Sequence, residues 1–278
     1  MEPLHRLNTS RHLRDSGRRA VAAVLGGLIL GKGLAVPPLA RAARPVRNPF
    51  DAMRLDDAIE GAELRETVPT GSITIEAPDF ADDASAVPIR FASHLAQTSA
   101  LHLLIDANPF PYVARFEFTG DARPQVALRV RVAGNSLLRI IAEAQGGRHL
   151  ATRPIQVAAG GCAASDASAP AYPDPPPPIR LLARSAARGG ELRLLLYHPM
   201  ENGLRVDRGG NKIPDRFIES LEIRVKSHRV IHARLGRSVS TNPLLSFQLT
   251  AARAGDDVAV NWRDSHGASR YDTVRITD

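Results

Sequence analysis

The sequence predicts an all-β protein: two immunoglobulin-like β-sandwich domains joined by a proline-rich linker. Three observations carry this. From residue 71 onward apolar residues recur with period two rather than 3.6. The apolar segments are short and are separated by Gly, Pro, Asn or Asp at regular spacing. A proline-dense stretch, Tyr172-Pro-Asp-Pro-Pro-Pro-Pro178, divides them into two sets of seven.

In the first set, strands are expected over 72–77, 87–92, 101–105, 113–118, 126–132, 137–143 and 152–158. Val126-Ala-Leu-Arg-Val-Arg-Val132 alternates as a half-buried strand should. Seven short strands in about 100 residues is the pattern of an immunoglobulin-like sandwich. The second set spans 179–186, 191–197, 218–226, 229–235, 245–251, 256–263 and 270–276. Arg188-Gly189-Gly190 and Ser265-His266-Gly267 read as hairpin turns, and Asp207-Arg-Gly-Gly-Asn211 as a longer loop turn. Between the sets, 163–178 is a linker whose prolines force extended backbone and exclude a helix or central strand. Ahead of the first set, 44–70 is expected to be an exposed lead-in with one helix. It opens at Asn48-Pro49, with Phe50, Met53, Leu55, Ile59 and Leu64 at helical spacing.

Residues 1–43 have the order of a secretory signal. A basic stretch ends in Arg18-Arg19, the apolar run Ala20–Gly31 follows, and Ala40-Arg41-Ala42 offers a small-residue cleavage site. The apolar run is shorter than the roughly 20 residues a membrane-spanning helix needs. The paired arginines hint at twin-arginine export. The expectation is export to the periplasm with cleavage near Ala42, leaving no membrane span in the mature chain. The segment also accounts for most of the formal charge of +7: it holds seven of the 36 Lys and Arg and two of the 29 acidic residues. What remains is close to neutral and poor in aromatics, so no nucleic-acid partner is expected.

The chain has one cysteine, Cys162. In an exported protein that rules out an internal disulfide. Cys162 follows Gly160 and Gly161 and precedes two alanines, at the end of the first domain's last strand. The glycines add backbone freedom and no bulk, which suits a thiol presented on a flexible arm. A nucleophilic enzyme thiol would need a base and an orienting group. The nearest histidine in sequence is His149, and nothing around Cys162 suggests a fixed triad, so no catalytic residue is assigned. His228 and His232, four apart on one strand, are expected to share a face. They lack further ligands at zinc-site spacing, read as surface or interface histidines, and leave no metal site. There is no nucleophile elbow, phosphate loop or H-E-x-x-H motif. The turn-rich stretch His198-Pro-Met-Glu-Asn-Gly203 with Asn211–Phe217 reads as a long loop or a partner-docking surface.

Several segments resemble a known pair of proteins. Gly71-Ser-Ile-Thr-Ile-Glu-Ala-Pro78, Val87-Pro-Ile-Arg90, Ile105–Pro111, Ala114-Arg-Phe-Glu-Phe118 and Gly160-Gly-Cys162 resemble SoxY, the sulfur-carrier subunit of thiosulfate oxidation. His198-Pro-Met-Glu-Asn-Gly-Leu-Arg205, Gly210-Asn-Lys-Ile-Pro214, Phe217-Ile218, Ser240–Phe247 and Val260-Asn-Trp262 resemble SoxZ. The second set is the more specific. The resemblance implies a sulfur carrier that is not itself an enzyme. Cys162 would be the covalent carrier of sulfur intermediates, and Gly160 and Gly161 its flexible arm. No cofactor is implied beyond a sulfur adduct on Cys162. The implied partners are periplasmic redox enzymes: a haem enzyme, a hydrolase and a sulfane dehydrogenase. Two departures stand out. Ala163 and Ala164 replace the family's glycines after the cysteine, and the cysteine is tethered on both sides. The fused form resembles carriers associated with quinoprotein dehydrogenases. The alternative is an accessory or docking protein for such a dehydrogenase, without covalent cargo. The fusion also predicts that the two domains pack on each other intramolecularly, because a short tether holds them at millimolar effective concentration.

Overall fold

The computed structural model describes residues 48–158, 172–186, 189–250 and 252–278. Each expected strand is present. In chain order they are β1 Val68–Pro69, β2 Ile73–Glu76, β3 Phe80–Ala81, β4 Val87–Ser93, β5 Ala100–Ile105, β6 Tyr112–Phe118, β7 Ala122–Val130, β8 Ser136–Ala144, β9 Gly147–Val157, β10 Arg180–Ala186, β11 Gly189–Leu195, β12 Ile218–Val225, β13 His228–Leu235, β14 Leu244–Leu249, β15 Asp257–Asp264 and β16 Ser269–Arg275. The sequence reading missed β1 and β3, two residues each, because such segments carry no periodicity to read.

The strands form two sheets, and both run through the two sets of strands. One sheet has the order β1-β9-β8-β5-β6-β13-β12-β15-β16, with β3 added against β9. The other has the order β10-β11-β14-β7-β4-β2. Each half is therefore a two-sheet sandwich, and the halves are joined edge to edge at two antiparallel seams. In one seam Ile231, Ala233 and Leu235 of β13 stand opposite Phe118, Phe116 and Ala114 of β6. In the other, Ser246 and Phe247 of β14 face Ala127 and Val126 of β7. Strands that would be exposed edges in a lone sandwich are thereby satisfied. One core crosses the junction, where Phe116 packs against both Phe91 and Phe247 with ring centroids 6.1 Å apart. Residues 44–278 form a single unit, as the expected packing of the two halves requires.

Three expectations need correction. The lead-in is not exposed. Asn48 caps a 3₁₀ turn at Pro49–Asp51 through its side-chain oxygen, and a helix, α1, spans Leu55–Gly61. Phe50, Ala52, Ala58 and Leu64 are buried against Leu104, Tyr112 and Ile141 on the outer face of the larger sheet. Met53 lies before the helix and is 64% exposed, so it does not belong to the apolar face.

Arg131 breaks the expected solvent alternation of 126–132. It is buried at 6% exposure. Its guanidinium donates to the carbonyls of Met200 (2.7 Å), Val239 (2.8 Å) and Arg237 (3.2 Å) and to the Thr241 hydroxyl (2.8 Å). It thus pins the first half to loops of the second.

His228 and His232 do not share a face. Arg224 pairs with Arg229 but Ile223 pairs with Ile231, so Val230 is the extra residue of a β-bulge. His228 stands opposite Val225 and His232 opposite Glu222, on the two sides of the sheet. His232 lies at the seam, with Nδ1 3.3 Å from Glu117 and Nε2 3.3 Å from Ser220. This fits the expected interface role.

Candidate functional site

Gly160, Gly161 and Cys162 lie outside the described residues. What the structure defines is where the segment that carries them is rooted, and both roots are built from specific contacts.

The upstream root is the end of β9. Ile155 is buried in the core. The next residues run parallel to β3, Gln156 beside Phe80 and Val157 beside Ala81. Gln156 N–H donates to the Asp79 carbonyl (2.9 Å), Val157 N–H to the Asn135 side chain (3.0 Å), and Ala158 N–H to the Ala81 carbonyl (3.1 Å). Arg153 reaches back to the Asp79 carboxylate (2.7 Å) and the Ala77 carbonyl (2.9 Å). The backbone is thus held as far as Ala158, four residues before Cys162. Four residues of extended chain span at most about 14 Å, which bounds the distance of Cys162 from this root.

The downstream root is Tyr172. Its hydroxyl donates to the Tyr197 carbonyl at 2.7 Å. Its ring lies 5.0 Å from that of His198, and the Arg216 guanidinium sits 4.7 Å from the ring centroid. Burial pushes the phenol up to about 12, so it acts as a neutral donor.

Beneath Tyr172 is a polar cluster sealed from solvent. His198 Nδ1 accepts from Met200 N–H (3.0 Å), and Nε2 faces the Asp264 carboxylate (3.4 Å). Asp264 also accepts from Arg216 Nε (2.8 Å) and from the N–H groups of Ala268 (2.8 Å) and His266 (3.0 Å). Burial pushes His198 down to about 4, so the ring is neutral at physiological pH. Burial works against the Asp264 anion, but the bonds from Arg216, His198 and Ala268 hold its carboxyl below the usual range. A histidine with both nitrogens engaged and no exposure has no reach to a substrate proton. The cluster anchors; it does not catalyse.

Sequence reasoning placed Tyr172 in the linker and missed this anchor. The available signal was one aromatic among alanines and prolines. The turn-rich stretch divides between two roles. His198, Met200, Glu201 and Asn202 are buried and build the core, so they cannot form a docking surface. The exposed part is the loop closed by the Val206–Lys212 bridge, where Asp207 caps the N–H groups of Gly209 and Asn211.

His149 pairs within β9 and β8, and its Nε2 is buried without a hydrogen-bond partner. Among the described residues there is no group of three or more His, Cys, Asp or Glu that could hold a metal ion, and no helix long and apolar enough to cross a membrane.

Comparison with known proteins gives these features a family. Residues 60–162 match the model of sulfur oxidation protein SoxY, and residues 179–275 that of sulphur oxidation protein SoxZ. Among solved structures, the chain is similar to the sulfur carrier protein SoxY from Chlorobium limicola f thiosulfatophilum, at 30% identity and TM-score 0.35, covering 37% of this chain and 96% of that one. It is also similar to a superoxide reductase (neelaredoxin) from Ignicoccus hospitalis, at 21% identity and TM-score 0.28, covering 32% and 81%. No curated protein matches the chain. The two family-model matches define the class: carrier or accessory proteins of sulfur oxidation. The chain belongs to the SoxY and SoxZ families, with a SoxY domain and a SoxZ domain fused in one polypeptide.

Proposed function

We propose that this chain is an exported, periplasmic carrier that holds a sulfur intermediate covalently on Cys162 and presents it to partner enzymes. One observation carries the reading: the SoxY match ends at residue 162, on the chain's one cysteine, in the segment between the β9 root and the Tyr172 root. Gly160 and Gly161 serve as the arm. Joining the Cys162 thiolate to a thiosulfate sulfur makes an S–S bond and releases two electrons, which a haem partner must accept. Removal of sulfate from that adduct is a hydrolysis and needs no electron acceptor. The carrier's own part is to keep the thiol free and positioned. In the fused arrangement, a quinoprotein dehydrogenase is a further enzyme the carrier would serve.

The test is the intact mass of the native, unreduced protein isolated from its host. The expected result is a mass increase that reductant removes, localised to Cys162. A bare thiol that thiosulfate- or sulfide-containing conditions leave unmodified, or a Cys162→Ser strain with full sulfur oxidation, would overturn the reading.

A further inference from the structure

The solvent face of the six-stranded sheet is basic, grooved, and placed at both roots of the Cys162 segment. Leu182, Arg193, Ser246, Ala127, Arg90 and Glu76 are successive cross-strand partners on β10, β11, β14, β7, β4 and β2. Cross-strand partners point to the same side, so this row crosses the whole face and the seam between the domains. On the same face Arg180 is in line with Leu195 and Leu244, Arg129 with Pro88, and Arg184 with Glu191.

The strands of this face present six exposed arginines (Arg90, Arg123, Arg129, Arg180, Arg184 and Arg193) and two glutamates. The glutamates are already used: Glu191 pairs with Arg193 at 2.8 Å and Glu76 with Arg90 at 3.7 Å. Among the described residues, no carboxylate lies at ion-pair distance from the other four arginines. On the larger sheet most strand arginines are paired, with Arg115 between Glu117 and Glu143, Arg139 on Asp106, Arg153 on Asp79, Arg224 on Glu222, Arg270 on Asp272 and Arg275 on Asp257.

Across the middle of the basic face runs a groove of about 550 Å³, with Pro78, Pro88, Ala127 and Leu244 in its lining. Leu182 and Leu244 remain 42% and 36% exposed. Arginine around an exposed apolar centre is the composition of a protein-docking surface.

Its position gives the face a purpose. Strand β2 runs toward Pro78, and the next residues, Phe80–Ala81, hold the end of β9. Strand β11 runs toward Leu195, and Tyr197, two residues on, holds Tyr172. Both roots therefore leave from the end of the sheet where Pro78, Pro88 and Leu244 meet.

We infer that this face docks an acidic surface of the enzymes that load and unload Cys162, with an apolar ridge of the partner seated in the groove. The inference rests on the carrier reading for the identity of those enzymes. A basic face steers an acidic partner from a distance, and that steering weakens with salt. Docking beside both roots brings the partner close to Ala158, from which four residues of chain span at most about 14 Å to Cys162.

The experiment uses the full chain in its host. Arg129→Glu/Arg184→Glu reverses two exposed charges with no carboxylate at ion-pair distance among the described residues (Asp83 feels Arg129 only at longer range), and Arg129→Gln/Arg184→Gln is the milder pair. The expected result is a tenfold or greater fall in the fraction of Cys162 carrying an adduct with the Glu pair, and a smaller fall with the Gln pair. Unchanged adduct in both would overturn the docking face while leaving the carrier reading intact. If wild type itself carries no adduct, the carrier reading fails, and crosslinking decides the surface. The photocrosslinker p-benzoylphenylalanine replaces Leu182 or Leu244, with Tyr271 on β16 as the control position. Capture at Leu182 and Leu244 through acidic partner peptides, lost at high salt and in the Glu pair, supports the face. No capture, or capture that the charge reversal leaves intact, overturns it. Charge-dependent binding of the purified chain to phosphatidylglycerol vesicles or to a single-stranded oligonucleotide, without protein capture, would also overturn it.

Discussion

At the residue scale, buried polar side chains decide more than their number suggests. Arg131 is a first-domain residue whose hydrogen bonds end on second-domain carbonyls at Met200, Arg237 and Val239. Buried carbonyls that lose a donor cost free energy out of proportion to one net hydrogen bond. Arg131→Met keeps the stem and removes the donors, so it should destabilise the fold by about 3 kcal/mol. A shift in the chemical-denaturation midpoint measures this, and a change within error would show that the pin is dispensable.

His198 supplies a pH dependence of definite sign. Its folded pKa, about 4, lies below its ordinary value of 6.5 because burial penalises the cation. The unfolded chain therefore takes up a proton that the folded chain refuses. Stability is full above about 6.5 and is lost as pH falls toward 4, by on the order of 3 kcal/mol in total. Asp264 titrates below this window, because its folded pKa is held under 3.8. Denaturation midpoints at pH 7 and pH 5 should differ, and the difference should shrink in His198→Asn. An equal pH slope in that variant would remove His198 from the account.

At the element scale, turns and bulges set which side chains meet. The β12–β13 hairpin turns on Lys226 and Ser227, both at positive φ (47° and 69°). This is the arrangement of a type I′ turn, which favours Asn-Gly. A serine held there is strained, so Ser227→Gly should stabilise the fold by about 1 kcal/mol. A lowered denaturation midpoint would contradict that. The bulge at Val230 has the opposite character. It adds no strain at a special φ, but it reverses the side assignment of every residue before it. Most of the fourteen longer strands were legible because they repeat apolar residues at period two between Gly, Pro or Asn breaks, and β5 because it is a short run, apolar but for His102, with the same breaks. The bulge was not, because Arg229-Val230-Ile231 reads equally well in either register. Arg131 was misread for a related reason: alternation reports which face a residue points to, but not whether a loop from elsewhere covers that face.

At the scale of the whole molecule, the two halves are one sandwich in the physical sense. Both sheets and the core pass through the junction, joined at the β6–β13 and β7–β14 seams. The tether is therefore not what holds the halves together. A protease site placed within 163–171 and cleaved in the purified protein should leave the two fragments co-eluting as one species. Separation at micromolar concentration would show that the seams depend on the tether. The same seams create the continuous basic face, since neither half alone holds all six arginines.

Taken alone, the sequence determined the β class, the two sets of seven strands, and the uniqueness of Cys162 with its glycines. These follow from period, punctuation and count, all local along the chain. Its motifs also pointed to the SoxY and SoxZ families, which the comparisons support. Tertiary structure decided the rest. It closed the sheets across the domains, buried the lead-in and Arg131, split His228 from His232, sealed His198 with Asp264 beneath Tyr172, and gathered arginines from four strands onto one face. Apart from the His228–His232 split, which a bulge within one hairpin sets, each of these joins residues tens to more than a hundred positions apart. Only pairing register and packing bring such residues together, and no local pattern encodes either.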